Sequence, residues 1–197
     1  SYPFIPYSLL STSYSQSSQV LAQSNDVRKA EADRLFNQGI EQAQTSQFEA
    51  ALQSWQQALD IYREIKDRRG EGNALGNLGV AYRVLGDYPK AIEYQERRLK
   101  IAQEIKDRLG ESQSLGNLGN AYRALGDYPK AIEYHERSLK IAQEIKDRLG
   151  ESQSLGNLGN AYRALGDYPK AIEYHERSLK IAQEIKDRLG ESQSLGN

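Results

Sequence analysis

Residues 115–134, LGNLGNAYRALGDYPKAIEY, return unchanged as residues 155–174, inside a longer self-identity in which residues 99–157 recur as 139–197. The copy fades toward the N-terminus. LGNLG also stands at 75–79 and GDYPKAIEY at 86–94, and FNQGIEQAQTSQFEAALQSWQQAL places Gly39 forty residues before Gly79. A period of this size marks a solenoid, in which each repeat buries its apolar face against the next and the array offers an extended surface for other molecules.

Within the third repeat, Leu115, Leu118, Tyr122 and Leu125 fall at helical spacing and form one stripe. Gly126 supplies a left-handed stop, Asp127 a helix start, and Pro129 sits in a first turn where its missing N–H is harmless. A second helix follows with Ala131, Ile132, Leu139, Ala142 and Ile145 as its apolar positions and Glu133–Arg137 and Glu136–Lys140 as ion pairs on its outer, solvated face. Asp147 is read as the next N-cap. The spacing predicts helices near 108–125 and 128–145 in every repeat, with no strand; the fold class is all-α, an α-solenoid of helix-turn-helix repeats. Gly110, Gly116 and Gly119 stand inside the first helix, where each is unfavourable by about 1 kcal/mol relative to Ala, and are read as sites of close helix packing. They are no phosphate loop, which needs a strand before the glycines and a free helix N-terminus after them.

Composition narrows the function classes. A net charge of −1 argues against nucleic acid or a membrane surface as partner. The chain has no cysteine, so disulfides and thiolate metal sites are excluded, and no apolar run approaches the roughly 20 residues that span a bilayer. It also has no methionine, which is read as the mark of a fragment or processed product. Residues 1–27, rich in Ser, Tyr and Gln, are expected to be an irregular tail or linker, and 28–197 the solenoid: four 40-residue repeats from about 32 to 191 and a truncated fifth.

The repeats resemble the tetratricopeptide repeat, with its W-x2-L-G-x2-Y, A-x3-F and closing proline. The second repeat offers Leu75-x2-Leu78-Gly79-x2-Tyr82 and Ala91-x3-Gln95; the third and fourth place His135 and His175 in the aromatic slot. The first keeps Ala51-x3-Trp55 and Ala58 but has Gln38 and Gln42 where Leu and Tyr are expected. Gln103, Gln143 and Gln183 replace the closing proline, and the repeat is 40 residues long instead of 34. This long form resembles the leucine-glycine-asparagine adaptors of spindle orientation, kinesin light chain, and the cyanobacterial arrays that precede caspase-like domains. The resemblance implies a right-handed superhelix whose concave groove, lined by the first helices, holds partner peptides.

Catalysis and metal binding find little support. The two histidines occupy the same slot of successive repeats, too far apart to share an ion, and are read as half-buried stand-ins for an aromatic residue. No serine has a positioned base. No catalytic residue, metal or cofactor is expected. More pointed are Asn117, Asn120 and Arg123, repeated as Asn157, Asn160 and Arg163 and in part as Asn77 and Arg83. In the resembled family, asparagines at such slots hold a ligand's backbone, since an amide both donates and accepts; arginine adds carboxylate recognition. The carboxylate clamp of chaperone-binding members needs basic residues where this chain has Gly76, Gly116, Gln113 and Gln153, so that ligand class is not expected. The leading expectation is a non-catalytic scaffold binding a protein or an extended acidic peptide. The alternatives are a module that stacks end to end as a homo-oligomer through an uncapped C-terminal face, and the regulatory arm of an enzyme whose catalytic domain lies beyond residue 197.

Overall fold

The computed structural model describes residues 7–185, with side chains from residue 23 onward. Eight helices follow one another: α1 Tyr7–Gln44, α2 Phe48–Glu64, α3 Arg68–Val84, α4 Tyr88–Glu104, α5 Arg108–Ala124, α6 Tyr128–Glu144, α7 Arg148–Leu165 and α8 Tyr168–Glu184. There is no strand among the described residues. The chain divides into two compact parts between Gly70 and Glu71. The helix pair predicted at 108–125 and 128–145 is met by α5 and α6.

Backbone from Tyr7 to Val27 is helical where the composition led us to expect an irregular segment. The physical reason lies in the breakers: between Pro6 and Gly39 the sequence has neither Gly nor Pro, so nothing interrupts α1. Residues 1–6 and the truncated fifth repeat from residue 186 lie outside the described residues.

Every junction is the same two-residue device. At the end of α5, Gly126 adopts φ +83°; its N–H bonds to the Arg123 carbonyl at 3.1 Å and that of Asp127 to the Tyr122 carbonyl at 3.0 Å. These are the two bonds of a Schellman motif. The Asp127 carboxylate then accepts from the Lys130 N–H at 3.2 Å, so one residue closes a helix and caps the next. The second helices end likewise without glycine or proline: Lys66, Lys106 and Lys146 sit at φ +59°, +57° and +58°. Here the Asp107 N–H bonds to the Ala102 carbonyl at 2.8 Å, and Asp107 accepts from the Gly110 N–H at 2.9 Å. The first junction, with no Gly-Asp pair, keeps the left-handed stop through Ser46 at φ +61°, but Gln47 caps the following helix with no side-chain hydrogen bond.

The core is built from small and branched positions on both helices. Leu115, Leu118, Leu155 and Leu158 of the first helices are at most 1% exposed, against Ala131, Ala142, Ala171 and Ala182 of the second. Leu125, expected on the core stripe, is 49% exposed, and its counterpart Leu165, still within α7, is 50% exposed, so this slot stands at the rim of the hairpin whether or not the helix includes it. The predicted pair Glu133–Arg137 is present at 3.7 Å. At the mouth of each hairpin Arg108 joins both Glu111 and Glu144, and Arg148 joins Glu151 and Glu184. In the first part of the chain, Arg28 pairs likewise with Glu64.

Left-handed backbone disfavours a residue with a Cβ by roughly 1–2 kcal/mol. Replacing Lys146→Gly is therefore expected to stabilise the array and Gly126→Ala to destabilise it, each by about 1 kcal/mol, read as opposite shifts of the urea unfolding midpoint.

Candidate functional site: the inner face of the first helices

Within the second part of the chain, α5 lies against α7, whereas α6 makes no comparable contact with α8. Neighbouring repeats thus converge on the side of the first helices, which makes that side the inner face. Asn117, Asn120 and Arg123 lie on α5, Asn157, Asn160 and Arg163 on α7, and Asn77 and Arg83 on α3. The five asparagines are half-buried and Arg123 and Arg163 exposed. Among the described residues, none of the five amides is engaged in a side-chain hydrogen bond, so their donors and acceptors remain available. Arg83 is half-buried, and its Nε is buried with no partner.

What presses the face into shape is a glycine opposite a bulky side chain. A Cβ on Gly119 would stand 2.5 Å from the His135 ring, and one on Gly159 2.6 Å from that of His175. Gly79 meets Gln95 at 2.6 Å and Gly39 meets Trp55 at 2.5 Å in the same way. The close-packing reading therefore holds for Gly119. It fails for Gly116, where an added Cβ would make an ordinary 3.5 Å contact with Ser138, and for Gly110, which makes room for the Asp107 cap.

The histidines are corrected too. His135 is fully buried and His175 only 7% exposed, instead of half-buried, and both ring nitrogens of each have no hydrogen-bond partner. Burial, aided by the Arg123 charge, pulls His135 down to about 3. His175 is lowered by burial and then by Arg163. Gln95, in the equivalent slot of the second repeat, donates to the Gly76 carbonyl at 2.9 Å. Among the described residues no group of His, Cys, Asp and Glu could hold a metal ion, and no helix is long and apolar enough to cross a membrane.

Two features escaped the sequence reading. Tyr82 stacks on Tyr94, Tyr122 on Tyr134 and Tyr162 on Tyr174, with centroids 5.3, 5.3 and 5.4 Å apart. Each pair is closed by a lysine on one side and an arginine on the other, as Lys130 and Arg137 do for Tyr122 and Tyr134 at 4.8 and 5.4 Å. The second feature is Arg98, on α4, whose stem crosses Gly76: a Cβ there would lie 2.8 Å from its Cδ. Its Nη2 donates to Gln113 Oε1 at 2.7 Å. The sequence did hold a signal for it, since Arg98 replaces Ser138 and Ser178 in otherwise near-identical repeats. Those serines are tied into buried hydroxyl contacts, Ser138 with Ser112 and Ser154 at 3.1 Å each.

The tetratricopeptide repeat family model matches residues 39–104 and 108–184. The chain belongs to the tetratricopeptide repeat family. Solved structures share its fold at low identity. Aspartyl phosphate phosphatase F from Bacillus subtilis superposes with a TM-score of 0.80 at 21% identity, over 85% of this chain and 44% of that one. BtubC from P. vanneervenii gives 0.72 at 23% identity, over 79% and 64%. A signal-transduction ATPase from Pyrococcus horikoshii, with a tetratricopeptide repeat sensor, gives 0.75 at 24% identity, over 91% and 28%. The tetratricopeptide array here thus spans less than two thirds of each of these chains. A search of curated proteins finds no match.

A histidine buried neutral takes up its proton on unfolding, so its contribution is complete above pH ~6.5 and is lost as pH falls toward 3. Each pH unit of that window is worth up to about 1.4 kcal/mol. His135→Gln, which installs the residue of the second repeat, is expected to flatten this acid limb in urea midpoints measured from pH 7 to 4. Gly119→Ala, which meets a rigid ring, is expected to destabilise by about 1–3 kcal/mol, and Gly116→Ala to stabilise slightly.

Proposed function

We propose that this tetratricopeptide array is a non-catalytic interaction scaffold that holds an extended, acidic peptide segment along the inner face. The observation that carries the reading is the charge of that face. In α3, α5 and α7 the only acids are Glu71, Glu111 and Glu151, all in the first turn, whereas Arg83, Arg123 and Arg163 stand in the last. Glu111 and Glu151 are moreover held by Arg108 and Arg148. An acidic chain laid across these helices meets unengaged amides and cations, and no facing carboxylate repels it. Asn117, Asn120, Asn157 and Asn160, with Asn77, would bond its backbone; Arg83, Arg123 and Arg163 would take its carboxylates.

The family and the fold neighbours support a recognition role of this general kind. One neighbour is a Rap protein complexed with competence and sporulation factor, at 23% identity and a TM-score of 0.78 over 84% of this chain. The 40-residue repeat, like that of the spindle-orientation adaptors, fits the role of an adaptor segment within a larger protein.

The test is fluorescence anisotropy with a fluorescein-labelled dodecapeptide of alternating Glu and Ser, against its Lys–Ser counterpart. The acidic peptide is expected to bind with an affinity that falls as salt rises. Substituting Arg123→Ala and Arg163→Ala together should weaken it about ten- to hundredfold, the scale of charge-assisted hydrogen bonds, without loss of helicity. Equal binding of both peptides, or indifference to the double substitution, would overturn the assignment.

A further inference from the structure

Arg98 restores a cation where the sequence shows none. The slots at Gly76 and Gln113 carry no base, which argued against carboxylate recognition there. The structure fills that place from behind: Arg98 starts on the second helix α4, passes through the notch left by the missing Cβ of Gly76, and ends against Gln113 of α5. Gly76 and Gln113 belong to two successive first helices, so the guanidinium bridges neighbouring repeats. On the second helices the other arginines are neutralised by acids, Arg97 by Glu93, Arg137 by Glu133 and Arg177 by Glu173, and at the hairpin mouths Arg108 and Arg148 are held by glutamates; Arg123 and Arg163, unpaired like Arg98, are the repeated cations of the first helices. Arg98 forms no ion pair with any described residue, and its single side-chain hydrogen bond leaves most of its five N–H groups for a ligand. Burial, against a weaker pull from Asp107, lowers its affinity for a proton, as expected of a cation without an adjoining carboxylate.

The second half of the argument is degeneracy. The third and fourth repeats present the same residues, Asn117, Asn120 and Arg123 against Asn157, Asn160 and Arg163, so an extended ligand gains nothing by choosing one over the other. At the position of Arg98 these repeats have Ser138 and Ser178, whose hydroxyls are turned inward onto Ser112 and Ser152. We infer that Arg98 is the register-setting anchor of the inner face: it takes one carboxylate of the bound acidic peptide, and so fixes which repeat each following residue meets. This deepens the proposed function and rests on it.

The test uses a fluorescein-labelled dodecapeptide of Ser and Asn with one central Glu-Glu pair. Arg98→Met keeps the stem that packs over Gly76 and removes the guanidinium; Arg98→Ser installs the residue of the other repeats. Both are expected to weaken binding at least tenfold, with Arg98→Met leaving the unfolding midpoint unchanged. Gly76→Ala, which pushes the flexible stem aside, is expected to weaken it less. Because the chain has no cysteine, Lys140→Cys takes a single acceptor dye, and energy transfer from the peptide should report one distance for otherwise native protein and two for the Arg98→Ser variant. Full-strength binding by Arg98→Met with a single distance would overturn the anchor and leave the groove reading standing. Failure of the native chain to bind both this peptide and the Glu–Ser peptide would overturn the groove reading and the anchor with it.

Discussion

A first helix and a second helix can meet at full length here only because one position between them has no side chain. Gly39, Gly79, Gly119 and Gly159 each lie flat against a bulky group sixteen residues later: Trp55, Gln95, His135 and His175. The pairing sets the separation of the two helices, and the rest adapts to it. The slot residue changes from an indole, whose N–H reaches the Phe36 carbonyl at 3.1 Å, to an amide, to an imidazole, while the glycine stays. Shape is demanded at this point and polarity is negotiable, which is how an imidazole with two idle nitrogens comes to rest in a hydrophobic seam.

The same constraint divides the labour between the two helix types. With the seam fixed, the leucines and alanines beside it are covered, and the ion pairs gather at the hairpin mouths and along the second helices. The first helices are left with amides and terminal arginines that have nothing internal to answer. A face made that way is polar and cationic at one end.

Much of this was legible in the sequence, because a repeat multiplies every local signal. The Gly126–Asp127 stop and start, Pro129, and the helix lengths were all readable from one copy and checked by the others. What was hidden depended on reach and on the third dimension. No spacing rule shows that Arg98 would double back across Gly76, since the two residues lie on different helices and the notch exists only once they pack. The Tyr122–Tyr134 stack and the Arg108–Glu144 clasp, twelve and thirty-six residues apart, were invisible for the same reason. The helical backbone of residues 7–27 has a different origin: a polar composition suggests an irregular segment, yet polar residues without Gly or Pro do not forbid a helix. The asparagines and arginines singled out in the sequence lie on the first helices α3, α5 and α7.

The junctions also bear on how such a chain changes over generations. A link of one left-handed residue and one capping aspartate has no slack, and each added or lost residue would turn the next helix by about 100°, carrying its glycine off the seam. Single insertions and deletions in this array are therefore ruinous, while gain or loss of a whole 40-residue block leaves every seam in phase. The heritable variable is copy number. The verbatim recurrence of residues 99–157 as 139–197 is a change of that kind, since it lengthens the array by one repeat and sets each added glycine sixteen residues before its partner.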